Sequence, residues 1–203
     1  GLRRRVEALA CRRSCGKRRR TRIVAFRFVP IPAPTGQSGD EVVIQLQLPD
    51  TDATEALGHA LAATLPAQAV VHLHGDLGAG KSTLARALLR ALGVQGAIRS
   101  PTYTLVERYP VPGGEAWHLD LYRIGDAAEL DFLGLDDAVA TLWLVEWPEK
   151  AGSALPAADL RIELASWGDG RSAELHGISP IGRQWLADLA TTPQLQALSL
   201  QSI

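Results

Sequence analysis

Methionine and asparagine are missing from this sequence, cysteine occurs twice and lysine three times. Because Cys11 and Cys15 both fall in one basic segment, no disulfide framework can staple the fold, and a reducing compartment is the expected setting. The apolar runs stop well short of the ~18 residues that cross a bilayer, so no membrane span is expected. Nor does an apolar stretch follow the N-terminal positive charges, which argues against a secretory signal. Ala8-Leu9-Ala10-Cys11 only faintly echoes a lipoprotein cleavage site. The five histidines and two cysteines have no zinc-ligand spacing. With Gly1 at its start, the numbering is expected to begin after processing or at a fragment boundary.

What is present suits one compact domain with appendages. The chain has 203 residues, 46% of them hydrophobic and 21% charged, which is ordinary for a globular protein with a real core. A net charge of −1 conceals two differently built parts. Residues 1–30 hold 11 of the 21 lysines and arginines and a single acid, Glu7, so the remainder is strongly acidic. The arginine runs 3–5 and 18–20 could neutralise phosphates, but like-charge blocks of this kind are more often solvated extensions. Prolines and glycines in residues 30–40 read as a linker. The expected organisation is a basic, disordered extension over 1–40, a folded domain over 41–190 and a tail over 191–203.

Within the domain the hydrophobic period switches repeatedly between two and 3.6. Strands are expected over 42–48, 69–74, 102–109, 116–122 and 141–146, with a closing hairpin of 160–166 and 172–177 turning at Gly168-Asp169-Gly170. Helices are expected over 52–65, opened by an Asp52/Glu55 capping box, over 84–92 ending at Gly93, and over 181–189, with an acidic helical stretch over 127–140. His72 and His74 share one strand face and read as core or hydrogen-bonded histidines. Strands alternating with helices imply an α/β fold.

Between the second strand and its helix stands Gly75-Asp76-Leu77-Gly78-Ala79-Gly80-Lys81-Ser82, which fits the P-loop pattern at every fixed position. Successive backbone N–H groups can wrap a phosphate there while the helix N-terminus offers its positive end to the same anion. Glycines are required because a Cβ would block the turn or the close approach. In such a loop the lysine, Lys81, spans the β- and γ-phosphates and the hydroxyl of Ser82 ligates Mg²⁺. A P-loop hydrolase also needs a carboxylate at a neighbouring strand end. Asp120 and Glu146 each follow an apolar strand, and either could face the phosphates. Without asparagine the chain cannot carry the Asn-Lys-x-Asp segment that reads guanine, so ATP is favoured over GTP.

Four segments in order are similar to the signatures of the TsaE (YjeE) family: residues 75–83, Ser100-Pro101-Thr102-Tyr103-Thr104-Leu105-Val106, His118-Leu119-Asp120-Leu121-Tyr122-Arg123, and Leu144-Val145-Glu146-Trp147-Pro148-Glu149-Lys150. The resemblance covers roughly residues 41–189. It implies a P-loop NTPase-like three-layer fold with a mixed central sheet, and a cytoplasmic Mg²⁺-dependent ATPase of tRNA threonylcarbamoyladenosine biosynthesis, slow without partners. It implies partnership with the TsaB and TsaD proteins, whose complex modifies the adenosine beside the anticodon and is reset by ATP hydrolysis; tRNA is met indirectly. Carried onto this chain, it assigns Lys81 and the backbone of Leu77, Gly78, Ala79, Gly80, Ser82 and Thr83 to the phosphates, and Ser82 and Glu146 to Mg²⁺. Ser82 stands where the family more often has threonine. Asp120 is implied to position water or support the metal, Thr102 to sense the γ-phosphate, and Trp147, Thr51 and Arg171 to lie near the nucleotide.

Two other readings predict different behaviour. A small-molecule or nucleoside kinase would carry an arginine-rich lid and yield a phosphorylated acceptor, yet the middle of the chain offers little beyond Arg99, Arg108 and Arg123. A nucleic-acid adaptor driven by the basic arm would lose tRNA binding when residues 1–40 are deleted.

Overall fold

A computed structural model describes residues 27–28, 42–126, 129–130, 135 and 140–195. Apart from Arg27–Phe28, the basic extension and linker lie outside the described residues, as do residues 196–203 of the tail and most of the acidic stretch 127–140.

The chain order is β1 (Arg27–Phe28), β2 (Val42–Leu48), α1 (Thr51–Ala63), β3 (Ala69–His74), α2 (Lys81–Ala91), β4 (Val106–Val111), β5 (Gly114–Asp120), β6 (Leu142–Glu146), β7 (Leu160–Trp167), β8 (Gly170–Gly177) and α3 (Pro180–Ala190). All eight strands form one mixed sheet in the order β1-β2-β8-β7-β3-β6-β5-β4. Its centre is parallel: β3 pairs with β6 and β7, and β6 with β5. The flanking β4, β8 and β1 run antiparallel to their neighbours.

Burial follows from this position. In β3, Ala69, Val71 and Leu73 point to one face and alternate with half-buried Val70, His72 and His74. Every residue of β6 is buried, as expected for a parallel strand covered on both sides. Leu142 and Leu144 join a core that contains Leu57 and Leu61 of α1, Leu84 and Leu88 of α2, and Trp185 and Leu186 of α3. Trp143 and Val145 join Trp117, Leu119, Leu121 and Ala151 in a second cluster on the opposite face. Helices therefore cover one side, and the segments after β5 and β6 cover the other. Each fully buried leucine contributes roughly 1.5–3 kcal/mol of hydrophobic stabilisation.

Two local expectations need correction. Residues 101–104 form turns, so the strand expected over 102–109 begins at Val106 and runs to Val111. There the Leu105 N–H donates to the carbonyl of Pro101 (2.7 Å) and the Leu105 carbonyl accepts from Asp120 N–H, a closed loop that outweighs the strand propensity of Thr-Tyr-Thr. Helix α1 is capped by Asp50, whose Oδ1 accepts from Ala53 N–H at 2.8 Å, because Asp50 is the last extended residue after β2; Asp52 lies within the helix.

Candidate functional site

The loop between β3 and α2 is shaped by backbone that only glycine adopts readily. Gly75 has φ +130°, and a Cβ there would sit 2.0 Å from the Leu164 carbonyl of β7. Gly80, the N-cap of α2, has φ +105° and leaves the helix start without a side-chain cap. The first amides of α2 are thus donors without a side-chain partner, at the positive end of the helix. They open onto a cavity of about 280 Å³ beside Leu77, Gly78, Gly80, Lys81, Ser82 and Thr83.

The opposite wall is set by strand register. Asp120 and Glu146 are directly paired residues at the ends of β5 and β6, and Glu146 is also next to β3, the strand that feeds the loop. Both acids are buried, and both line the cavity together with Thr102 and Trp147.

Charges here are closely matched. Lys81 is 4% exposed, and its Nζ donates to the carbonyls of Gly75 (2.6 Å) and Asp76 (2.9 Å) while lying 3.9 Å from the centre of the Trp147 ring. Burial pulls the Lys81 pKa below its ordinary 10.5, and the carboxylates of Glu146 and Asp120 oppose that shift. Ser82 Oγ donates to Glu146 Oε2 at 2.9 Å, and His118 Nε2 lies 2.8 Å from Glu146 Oε1. Thr102 Oγ1 donates to Asp120 Oδ2 at 2.7 Å, and Tyr122 N–H to Asp120 Oδ1 at 3.1 Å. One ammonium and a row of amides therefore face two carboxylates across a polar gap. Such an arrangement can hold an anion on one wall and a hard cation on the other, and the Ser82/Glu146 oxygen pair matches the donor preference of Mg²⁺.

Of the expected residues, Leu77, Gly78, Gly80, Lys81, Ser82, Thr83, Thr102, Asp120, Glu146 and Trp147 all line this cavity. Ala79 does not: it is buried, and its N–H donates to the Asp76 carbonyl at 3.1 Å. Thr51 is exposed at the start of α1 and lies outside the cavity lining. Arg171 packs against the loop, where a Cβ on Gly80 would meet its Nη1 at 2.3 Å, and it reaches Thr54 Oγ1 at 3.5 Å. It buttresses Gly80 from outside the cavity. Sequence reasoning missed the lining residues Arg86, Ser100 and Tyr122, and gave no role to His118. Arg86 follows Ser82 and Thr83 by about one helical turn, a spacing that could have found it. For His118 the signal was period two, which puts it on the same face of β5 as Asp120.

The comparisons with known proteins agree. The family described as threonylcarbamoyl adenosine biosynthesis protein TsaE matches residues 48–173. The Haemophilus influenzae protein named tRNA threonylcarbamoyladenosine biosynthesis protein TsaE is 45% identical over 116 residues, covering 56% of this chain and 73% of that one. Proteins of the same name from Mycobacterium tuberculosis and Streptomyces coelicolor are 40% and 36% identical, covering 62% and 64% of this chain and 82% and 91% of theirs. The crystal structure of Bacillus subtilis YdiB superposes with a TM-score of 0.63 at 25% identity, over 75% of this chain and 97% of that one. With the P-loop, the paired strand-end acids and a family match spanning most of the described domain, the chain belongs to the TsaE family.

Proposed function

We propose that this protein is a Mg²⁺-dependent ATPase that serves tRNA threonylcarbamoyladenosine biosynthesis in the cytoplasm. The observation that carries the reading is the convergence, around one cavity, of the uncapped α2 terminus and Lys81 with Ser82, Asp120 and Glu146. Amides of Gly78, Gly80, Lys81, Ser82 and Thr83 and the Lys81 ammonium bind the phosphates. Ser82 and Glu146 would hold the metal. When bound, Mg²⁺ would neutralise charge on the transferring phosphoryl group. Asp120, oriented by Thr102 and by the Tyr122 amide, positions the attacking water, and Thr102 links that acid to the rim where a γ-phosphate would sit.

The relatives' names supply the pathway, and the site's openness supports dependence on partners. No arginine-rich lid covers the cavity among the described residues, and large side chains stand exposed on its lining segments: Leu77 is 75% exposed, and Tyr103, next in sequence to the lining residue Thr102, is 82% exposed. A complex of TsaB and TsaD docking there would order the Thr102 loop and speed hydrolysis, which in turn resets the complex that modifies tRNA. Phosphate release measured with and without purified TsaB–TsaD and tRNA tests this. Stimulated release with no phosphorylated acceptor is expected; an acceptor phosphorylated in step with ATP consumption would replace the reading with a kinase.

A further inference from the structure

Strands β5 and β6 run parallel with Asp120 opposite Glu146 and His118 opposite Leu144. Residues 116, 118 and 120 therefore share the helix-covered face with 142, 144 and 146. From that face the His118 ring crosses diagonally to Glu146, with Nε2 2.8 Å from Oε1 and both side chains almost fully buried, at 0% and 3% exposure. A carboxylate oxygen only accepts, so the proton of this bond sits on Nε2. The buried Nδ1 has no partner among the described residues, so a proton there would be an unsatisfied donor. His118 thus acts as a one-sided donor with a single destination.

That destination is the carboxylate whose other oxygen, Oε2, accepts from Ser82 Oγ. A carboxylate anchored at one oxygen alone can turn about its last bond, and one anchored at both cannot. We infer that His118 is a positioning residue for the metal: by fixing Glu146 Oε1 it keeps Oε2 turned toward Ser82 and the cavity, and so sets Mg²⁺ affinity without touching the nucleotide. His118 does not line the cavity. The inference rests on the ATPase reading above and adds to it a residue that acts through Glu146.

The test is calorimetric binding of a non-hydrolysable ATP analogue, with Mg²⁺ and with EDTA, to wild type, His118→Leu, His118→Gln, Glu146→Ala and the Glu146→Ala/His118→Leu double variant, each with a parallel melting curve. Loss of an outer partner of a metal ligand usually weakens metal affinity about 10–100-fold. His118→Leu should show such a loss in apparent Mg²⁺ affinity with analogue binding in EDTA unchanged. His118→Gln, which returns an N–H donor, should recover most of it, and even if the leucine variant folds poorly this variant still reports. In the Glu146→Ala background the second change should add nothing. Wild-type Mg²⁺ affinity in His118→Leu, equal weakening with and without Mg²⁺, or full additivity in the double variant would each overturn the inference alone. Analogue binding by wild type that ignored Mg²⁺ altogether would overturn the metal reading and this inference with it.

Discussion

The ends of β5 and β6 carry acids that are register partners, yet they are wired to different parts of the molecule. Glu146 is tied to rigid elements: Ser82 on α2 and His118 inside the sheet. Asp120 is tied to a loop: Thr102 donates to its carboxylate, and its own N–H donates to the Leu105 carbonyl. Each wiring passes a strained residue. Leu105 (φ 61°) and Trp147 (φ 60°) are the non-glycine residues with positive φ among the described residues, one on Asp120's loop and the other directly after Glu146. Such conformations cost on the order of 1–3 kcal/mol and persist where surrounding contacts hold them. Trp147 is braced by its N–H to the Leu73 carbonyl and by its ring over Lys81, so the strain on the β6 side is locked into the site. On the β5 side it lies in a turn whose neighbours Tyr103 and Thr104 are exposed. One acid is thus built to stay and the other to report on a segment that can be rearranged.

The comparison breaks most completely if the common wall is removed. Lys81→Ala should lower nucleotide affinity about 100-fold or more, since a buried ammonium making charged hydrogen bonds to phosphate is worth a few kcal/mol. Calorimetry giving unchanged affinity would mean that Lys81 does not grip the phosphates and that the wall opposite the two acids has been misassigned. The next largest effect separates the two acids. Asp120→Ala should keep nucleotide and Mg²⁺ binding but slow hydrolysis about 10²–10⁴-fold, the usual contribution of a positioned base. Glu146→Ala should retain some nucleotide binding in EDTA and lose most of the Mg²⁺ dependence. If only Asp120→Ala changed the metal requirement, the two roles would be exchanged. A smaller effect tests the loop: Thr102→Val, which removes the hydroxyl bonded to Asp120, should cost about 10-fold in turnover, and Thr102→Ser should restore it. If valine had no effect, Asp120 would be independent of the loop and the contrast would fail.

How much of this contrast was readable beforehand follows from where the information resides. The P-loop was legible because its chemistry is contiguous: glycines, lysine and serine at fixed offsets between a strand and a helix. Asp120 and Glu146 were legible as strand-end acids, but the division of labour proposed for them was not, before any resemblance. It depends on strand order, which puts β6 beside β3 and β5 one place further out. The His118–Glu146 contact spans 28 positions and exists only through that register. The start of β4 is not legible locally because the Leu105 carbonyl accepts from the distant Asp120 N–H, a tertiary contact that holds the 101–105 turn against the strand propensity of its residues. Thr51 and Arg171 fall outside the cavity lining, Thr51 exposed at the start of α1 and Arg171 against Gly80, a placement that a linear sequence does not encode.

The smallest predicted effect protects the comparison from a false answer. A protein with two buried carboxylates in its candidate site that fails at low pH invites the conclusion that one of them has been protonated. Another source lies on the face of β3 turned away from the helices. Burial lowers the pKa of both His72 and His74 below the ordinary 6.5; their mutual repulsion lowers His72 further, while Glu149 opposes the shift at each. As pH falls below 6.5 the unfolded chain therefore takes up these protons first, so the stability present above 6.5 declines until the folded-state values are passed. Because β3 leads directly into Gly75, loosening it would disturb the P-loop with both carboxylates still charged. Melting temperature followed from pH 8 to pH 5 should fall in wild type, and equally in Asp120→Ala and Glu146→Ala, but less in a His72→Gln/His74→Gln double variant. An undiminished fall in that double variant would return the acid sensitivity to the site and leave Asp120 and Glu146 as the groups to titrate.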